Sequence, residues 1–295
     1  MRFYVSWYSG DPWYPDYEDD CAMLISVTSV SQTWTLRDTD NLPKHLILDS
    51  GGYRYARYPD QTPTPIALFQ RQLDIVAETP VPTLLCSLDF PILDDGLSQP
   101  KKDACINQTI AHAYEFKSLL SKLDYPSNVR GLAIVQGYDL PSLQHCAKEL
   151  KSIGFQHFGL GSLAPLRHHE KVMRRVEAVV DVVGKDLHVF GIGAIDTLHA
   201  LQRLGIRSVD TSRPAKSAMY NQVFFSQPFI YYAIAASQDK SGLALSEERR
   251  LQTSRSCDCP ACGGKVNPNI IKLGKRKYVF ARTLHNYWHL KRTLN

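Results

Sequence analysis

Several features that would assign this chain to a membrane or secreted class are missing from it. No apolar run approaches the ~20 residues that a membrane-spanning helix needs. The first residues, Met1–Val5, lack the three-part layout of a secretory signal peptide. Cys21, Cys86, Cys105 and Cys146 follow no disulfide-framework spacing. These absences predict a cytoplasmic protein with reduced thiols and no membrane partner.

The sequence also lacks a nucleotide-binding glycine fingerprint and any repeat of fixed period. No Gly-x-Gly-x-x-Gly opens a helix after the first strand-like run, and Gly191-Ile192-Gly193 reads as a tight turn at a strand end. Instead, β-branched and aliphatic runs alternate with helical patterns. The predicted strands are Phe3–Tyr8, His45–Asp49, Pro82–Asp89, Gly131–Gln136, His157–Leu163, Leu187–Gly193 and Ser208–Asp210. The predicted helices are Ile66–Thr79, Ala104–Leu123, Leu140–Ile153, His169–Val183 and Ala194–Leu204. This alternation predicts an α/β fold, a (β/α)₈ TIM barrel over residues 1–248.

Acidic residues are scarce at the C-terminal end. Residues 249–295 carry eleven Lys and Arg against a single acid, Asp258, for a net +10, whereas residues 1–248 carry 23 basic and 28 acidic residues. Such a charge predicts a face that binds a polyanion, most simply nucleic acid, although a solvated basic tail is an open alternative. Tyr278, Phe280, Tyr287 and Trp288 favour a folded module. We expect a basic subdomain over residues 249–295, packed on the barrel.

Cysteines cluster in the same segment. Cys257, Cys259 and Cys262 form Cys-x-Cys-x-x-Cys, and His285 follows after 22 residues. Three thiolates and an imidazole complete the tetrahedral shell of a structural Zn²⁺ site, which leaves no open position for a reacting water. A disulfide is the alternative for the cysteines. His289, one helical turn further, is the alternative fourth ligand.

Polar residues stand at the ends of several predicted strands: Asp49, Asp89, Gln136 and Asp210. Active sites of TIM barrels form at the carboxyl ends of the strands. Carboxylates that meet there shift one another's pKa values, which suits one as an ionised nucleophile and another as an acid/base. Taken singly, each Asp could be a helix cap or a turn former.

The ordered motifs LDSGGY, SLDF, IVQG, FGLGS, FGIGA and SVDTSR, followed by Cys-x-Cys-x-x-Cys and His, resemble those of the tRNA-guanine transglycosylase superfamily. The resemblance extends from about Asp49 to His285. It implies a zinc-bearing TIM barrel that exchanges a guanine in a polynucleotide for a 7-deazaguanine without breaking the sugar–phosphate chain.

The resemblance also implies roles for single residues. Asp210 matches the nucleophile that attacks the sugar C1′, and Asp49 matches the general acid/base. The residues matched to base binding are Asp89, Gln136, Gly137, Tyr53, Ser50, Gly51, Gly159, Leu160 and Phe190. The residues expected to contact the nucleic-acid backbone are Arg213, Lys216, Arg249, Lys275, Arg276 and Lys277.

Departures from the tRNA enzymes favour a different branch. The stretch Gly159–Pro165 contains no acidic residue, and the next acidic residue is Glu170. An incoming base with a cationic aminomethyl group would therefore lack a nearby negative charge. A neutral nitrile base such as preQ0 needs none. The loop Thr211–Lys216 differs from the Pro-Thr-Arg pattern of the tRNA enzymes. The chain is also shorter than typical tRNA-modifying members of the superfamily.

We therefore expect a DNA-guanine transglycosylase of the kind found in bacterial and phage DNA-modification clusters, acting in a bacterial or phage-infected cell. The same exchange on tRNA is the alternative within the class. A non-catalytic zinc-containing nucleic-acid-binding protein is a second alternative, and a glycosidase barrel a third that leaves the zinc module unexplained. A homodimer and partner DNA-modification proteins are left open, because no motif in this chain decides either.

Overall fold

The computed structural model describes residues 1–93, 96–122, 124–163, 166, 168–226, 228–234 and 256–294. The chain divides into two compact units. The first comprises Met1–Ser9 and Asp20–Thr211, and the second comprises Gly10–Asp19 and Ser212–Asn295. The boundary predicted between residues 248 and 249 lies outside the described residues, so that division stays a prediction. No helix among the described residues is long and apolar enough to cross a bilayer.

The first unit is a closed barrel of eight parallel strands. Strand β1 pairs with β2 on one side and with β8 on the other, so that Tyr4 lies opposite both Ala22 and Asp210. The strands are β1 Arg2–Trp7, β2 Ala22–Ser26, β3 His45–Asp49, β4 Thr83–Cys86, β5 Val129–Val135, β6 Phe158–Leu160, β7 Leu187–Val189 and β8 Ser208–Thr211. The predicted TIM barrel is confirmed.

Helices follow most of the later strands, close to where the sequence predicts them. Their starts are chemically defined: Thr64 accepts from the Ala67 amide at the start of α2, and Asp139 accepts from the Ser142 amide at the start of α4. The helices of this unit are α1 Gly52–Tyr55, α2 Pro65–Val76, α3 Gln99–Lys122, α4 Leu140–Ser152, α5 His169–Val183 and α6 Ile195–Leu204. Leu123, the last residue of the predicted helix Ala104–Leu123, lies outside the described residues.

Strand β2 was not predicted from the sequence. Its five residues are almost wholly apolar, and the stretch from β2 to β3 contains only 3₁₀ turns, Val27–Ser29 and Leu36–Asp38. Without a flanking α-helical pattern, the strand breaks the alternation on which the prediction rested.

Apolar side chains fill the barrel interior. Tyr4, Leu24, Ile47, Cys86 and Ile134 are buried in one cluster contributed by five strands. This packing follows the general rule that a TIM barrel is a filled core and not a pore. Groups with chemistry to perform are therefore confined to the ends of the strands.

Among its described residues, the second unit combines a hairpin with two α-helices and two 3₁₀ turns. These elements are a 3₁₀ turn Tyr14–Asp16, α7 Arg213–Met219, β9 Gln222–Phe225, β10 Ile230–Ala233, a 3₁₀ turn Pro268–Ile271 and α8 Arg276–Leu294. Arg282 is fully buried, and its guanidinium donates to the carbonyls of Ala218, Ile270 and Lys272 and to Asn221 Oδ1. The Arg282 side chain thereby connects α8 to α7 and to the turn Pro268–Ile271. The same hydrogen bonds compensate for the burial of the guanidinium charge.

Candidate active site and metal centre

The four predicted strand-end residues do meet at the carboxyl end of the barrel. Asp49 is the last residue of β3, Gln136 follows β5 directly, and Asp210 lies within β8. Asp89 was expected as the last residue of a strand, but β4 ends at Cys86 and Asp89 lies in the extended segment after it. Asp89, Gln136 and Asp210 are 6%, 1% and 4% exposed, whereas Asp49 is half-buried.

The Asp210 carboxylate is held by three donors. Ser6 Oγ donates to Oδ2 at 2.6 Å, and the Gly191 amide donates to Oδ1 at 2.8 Å. His188 Nε2 lies 3.3 Å from Oδ1. Sequence reasoning missed Ser6 and His188, although each is a polar residue between apolar neighbours in a short strand. That pattern is the signal by which they could have been found.

A second hydrogen-bond network holds Asp89. Ser50 Oγ donates to Oδ1 at 2.6 Å, and Gln136 Nε2 donates to Oδ2 at 2.6 Å. Gln136 Oε1 in turn accepts from Ser162 Oγ, which accepts from the Ile92 amide at 3.0 Å. Ser162 was not predicted as part of the site. The network fixes the Asp89 carboxylate and the Gln136 amide before any ligand arrives.

Glycines of the motifs make room for these groups. A Cβ at Gly52 would lie 2.6 Å from Asp89 Oδ1 and 2.7 Å from the Asp89 carbonyl oxygen. Gly51 has a φ of +88° and faces Thr28. The group that approaches the Gly52 backbone most closely is thus Asp89. The Ser-Gly-Gly turn and Asp89 are therefore packed as one piece.

The other predicted pocket residues lie along neighbouring strand ends. A Cβ at Gly159 would meet the Phe190 ring at 2.4 Å, so Phe190 covers Gly159. Leu160 is buried at the end of β6. A Cβ at Gly137 would lie 2.7 Å from the Leu143 amide nitrogen. Ala164 and Pro165, which complete the predicted stretch without an acid, lie outside the described residues.

Tyr53, predicted to stack on a base, is 52% exposed in α1. Arg57 lies over its ring, 4.6 Å from the centroid, and donates from Nη2 to the phenol oxygen at 2.6 Å. One face of the ring is thus covered by a cation that fixes its orientation. The structure does not bring Tyr53 into the hydrogen-bond networks of the three carboxylates.

Burial sets the protonation of two of these carboxylates. It raises the pKa of Asp49, and the negative charge of Asp210 adds to the effect. Burial also raises the pKa of Asp89 to about 7, and the charge of Asp49 contributes. Asp49 is consequently suited to exchange protons, and a donor-rich ligand would favour the charged form of Asp89.

The structure brings Cys257, Cys259, Cys262 and His285 together in the second unit, with their ligand atoms all within 4.8 Å of one another. His285 Nδ1 lies 3.6, 3.3 and 3.5 Å from the three sulfurs in chain order. His285 Nε2 donates to the Phe224 carbonyl at 2.8 Å, which leaves a lone pair on Nδ1 facing the sulfurs. This donor set fits a structural Zn²⁺ site.

His289, the alternative ligand, has a different position. The Ser226 amide donates to His289 Nδ1 at 3.0 Å, so the ring proton is on Nε2. Nε2 lies 3.4 Å from Cys257 Sγ. His289 is accordingly a hydrogen-bond donor to one thiolate, and His285 is the ligand. All seven cysteines are free of disulfides, so the disulfide alternative is wrong.

The predicted backbone-binding residues have varied surroundings. Lys275, Arg276 and Lys277 are exposed at the start of α8, whose first turn holds no acid. Cations at a helix N-terminus oppose the helix dipole, so helix stability does not account for them. Lys216 is exposed, and Arg213 lies 5.2, 5.4 and 5.5 Å from three aromatic ring centroids of its own unit. Arg249 lies outside the described residues.

A TIM barrel with buried carboxylates at its mouth, joined in one chain to a Cys₃His centre, defines the class. The chain belongs to the TGT family, whose model, described as queuine tRNA-ribosyltransferase, matches residues 85–295. The resemblance to that superfamily found in the sequence is thereby confirmed.

Individual relatives are distant. A tRNA-guanine(15) transglycosylase of Thermococcus onnurineus is 22% identical over 263 residues, 84% of this chain and 39% of the relative. Queuine tRNA-ribosyltransferases of Chlamydia caviae and Clostridium perfringens are 24% and 26% identical over 48% and 51% of the chain. The chain matches less than two-fifths of the length of each of these three relatives.

Replacing Cys259 by Ala tests the metal centre. We expect Cys259→Ala to bind less zinc and to lose several kcal/mol of stability, because structural Zn²⁺ contributes about 10–16 kcal/mol in zinc-finger peptides. Zinc content by mass spectrometry and thermal unfolding are the measurements. Cys21→Ala, which removes a buried thiol outside the cluster, should keep the full zinc content. Full zinc content and unchanged melting in Cys259→Ala would contradict the assignment.

Proposed function

We propose that this protein is a guanine transglycosylase, a pentosyltransferase that exchanges a guanine in a nucleic acid for a 7-deazaguanine base. The observation that carries the proposal is the arrangement of Asp210, fixed by three donors, beside Asp49, whose pKa is raised by burial and by the Asp210 charge. A fixed nucleophile next to a group able to hold a proton is what two successive displacements at one carbon require.

In the first displacement, an Asp210 oxygen attacks C1′ of the target nucleotide. The C1′–N9 bond breaks, its electron pair leaves with the guanine, and Asp49 gives the departing base a proton. The product is an ester between Asp210 and C1′. The phosphodiester chain takes no part and stays intact.

In the second displacement, the incoming base loses its N9 proton to Asp49 and attacks C1′. The ester bond breaks, and its electron pair returns to Asp210 as a carboxylate. Two inversions at C1′ retain the anomeric configuration, as in retaining glycosidases. Asp49 therefore ends each cycle in the protonation state in which it began.

Asp89 and Gln136 are the groups proposed to read the base. Guanine offers two donors, N1–H and the exocyclic amine, which match the two oxygens of one carboxylate. Gln136 spends one amide hydrogen on Asp89, so its second hydrogen remains for the base carbonyl, beside the backbone of Gly137. Because the target base is stacked in a helix, it must be flipped out to reach them.

The relatives' names favour tRNA as the nucleic acid, since each is named for tRNA. DNA as the polymer and preQ0 as the incoming base remain predictions from the sequence departures alone. The zinc centre supplies structural stability to the second unit and takes no part in the proposed displacements.

The proposed nucleophile can be tested by trapping. Wild-type protein mixed with a guanine-containing polymer and quenched in denaturant should give a slower-migrating covalent band. Asp210→Asn should give none, because a neutral amide cannot displace guanine from C1′, and its exchange of radiolabelled guanine should vanish. Asp186→Asn, which changes an exposed aspartate paired with Arg207, is the matched control and should react like the wild type.

The same assay decides the polymer. Bulk tRNA and plasmid DNA are offered separately with radiolabelled guanine or preQ0, and label retained in one polymer identifies the substrate. Exchange in DNA alone would reverse the preference drawn from the relatives. An adduct that persists in Asp210→Asn but disappears in Asp49→Ala would mean that the two roles are exchanged.

Base binding should depend on pH through Asp89. Its pKa of about 7 means that the neutral form, which offers guanine only one good acceptor, grows as the pH falls. The affinity for guanine should therefore rise from about pH 6 to about pH 8, with release of a proton on binding. Calorimetry in buffers of different ionisation enthalpy measures both. Asp89→Asn should bind weakly at every pH, and a pH-independent wild type would count against the role.

The exposed basic residues of α8 should bind phosphates without sequence preference. Lys275→Glu together with Lys277→Glu should weaken polymer binding and make the dependence of log K on log salt shallower by roughly one unit for each phosphate that is no longer neutralised. Fluorescence anisotropy across a salt series measures the slope. Lys122→Glu with Lys185→Glu makes the same charge change on exposed residues of the first unit. Equal effects of the two pairs would show that the basic residues of α8 have no specific role in binding the polymer.

A further inference from the structure

His188 is a buried histidine that the proposed chemistry has not used. Its side chain is 1% exposed, within the apolar strand β7. Nδ1 lies 3.0 Å from Ser208 Oγ, and Nε2 lies 3.3 Å from Asp210 Oδ1. The rings of Tyr4 and Phe190 meet the imidazole edge-on, with centroids 5.7 and 4.5 Å away. The ring is therefore held in place on several sides.

The position of the ring proton follows from its neighbours. An ionised Asp210 can only accept, so Nε2 must carry a hydrogen. In a neutral ring Nδ1 then accepts from the Ser208 hydroxyl, which gives a directed chain from Ser208 through His188 to Asp210. The carboxylate thus fixes the tautomer, and the Ser208 hydroxyl supports it by donating to Nδ1.

The two Asp210 oxygens are not equivalent in this arrangement. Oδ1 accepts from His188 Nε2 and from the Gly191 amide, while Oδ2 accepts from Ser6 Oγ alone among the described residues. A carboxylate oxygen has two lone pairs in its plane. Oδ1 has both engaged, and Oδ2 keeps one free to form a bond.

We infer that Ser208 and His188 form a buried pair that positions Asp210 so that Oδ2 is the attacking atom. The inference rests on the proposed function, since it refines how that nucleophile works. As the Oδ2–C1′ bond forms and the C1′–N9 pair leaves with the base, Oδ1 becomes the carbonyl oxygen of the ester. It remains an acceptor for both of its donors, so the pair serves the carboxylate and the ester alike. The proton stays on Nε2 throughout.

A neutral imidazole suits this role better than a charged one. An imidazolium would hold the negative charge on the carboxylate and so oppose its transfer into the new bond, whereas a neutral N–H orients the group at smaller electrostatic expense. Other titratable groups of the surrounding strands include Tyr4, Asp49, Cys86 and Asp89. The competing explanation is a core histidine that only satisfies its polar neighbours, and it predicts an effect on stability but none on the reaction.

Three variants separate the two explanations. His188→Phe removes both ring nitrogens, His188→Gln restores an amide donor at the position of Nε2, and Ser208→Ala removes the hydroxyl that donates to Nδ1. Thr83→Val is the control, since it removes a buried hydroxyl at the start of β4, where Thr83 donates to the Val81 carbonyl. Each is measured by single-turnover adduct formation with the polymer that the wild type accepts.

We expect His188→Phe to slow adduct formation about 10- to 100-fold with little change in KM, the effect of one hydrogen bond to a charged group. His188→Gln should recover most of the rate, and Ser208→Ala should slow it roughly two- to tenfold. Thr83→Val should match the wild type. Wild-type rates in all three variants would overturn the inference, and should His188→Phe not fold, the other two decide.

The tautomer gives a readout that does not depend on turnover. Nitrogen-15 NMR of the wild type, with His188 assigned by its loss in His188→Gln, should show a neutral ring protonated on Nε2. A neutral ring protonated on Nδ1 would overturn the inference while leaving the proposed function standing. A wild type that forms no adduct with any polymer would overturn the proposed function, and the positioning role with it.

Discussion

The removal of three carboxylates from water at one end of a filled barrel is the constraint on which the candidate site depends. Charges buried that closely repel each other and must be matched by donors. Asp210 and Asp89 meet that demand in different ways, one through β1 and β7 and the other through the loops after β3 and β5. The serines and the glutamine around them are the groups that make burial tolerable.

The metal centre solves a comparable problem in the second unit. Three buried thiols and an imidazole have little reason to converge without a cation, and the surrounding hydrogen bonds determine which nitrogen faces them. Both sites therefore use hydrogen-bonding groups of strands to select a histidine tautomer. In each site, neighbouring residues that neither bind the metal nor react orient the residues that do, through hydrogen bonds.

Much of this arrangement could be predicted from the sequence. The alternation of strand and helix patterns predicted the barrel, because buried parallel strands are apolar runs and their crossovers are amphipathic helices. The Cys₃His ligands followed from spacing. Ser6, Ser162 and His188 were missed, because their importance arises from hydrogen bonds to residues on other strands and loops that no local pattern reveals. Strand β2 was missed because no helical pattern flanks it. Nothing in the sequence around Arg282 indicated that its side chain would be buried and would connect elements of its unit.

The close approach of Asp89 to Gly52 has a consequence for how this protein can change. If Asp89 reads the base as proposed, the missing side chain at Gly52 contributes to that recognition, because a Cβ there would displace the carboxylate. In that proposal, selectivity for the base depends partly on the absence of a side chain at Gly52. Replacement of Gly52 by a larger residue during evolution would move Asp89 and so could change the base that the site accepts. Every polar residue of the site would stay the same.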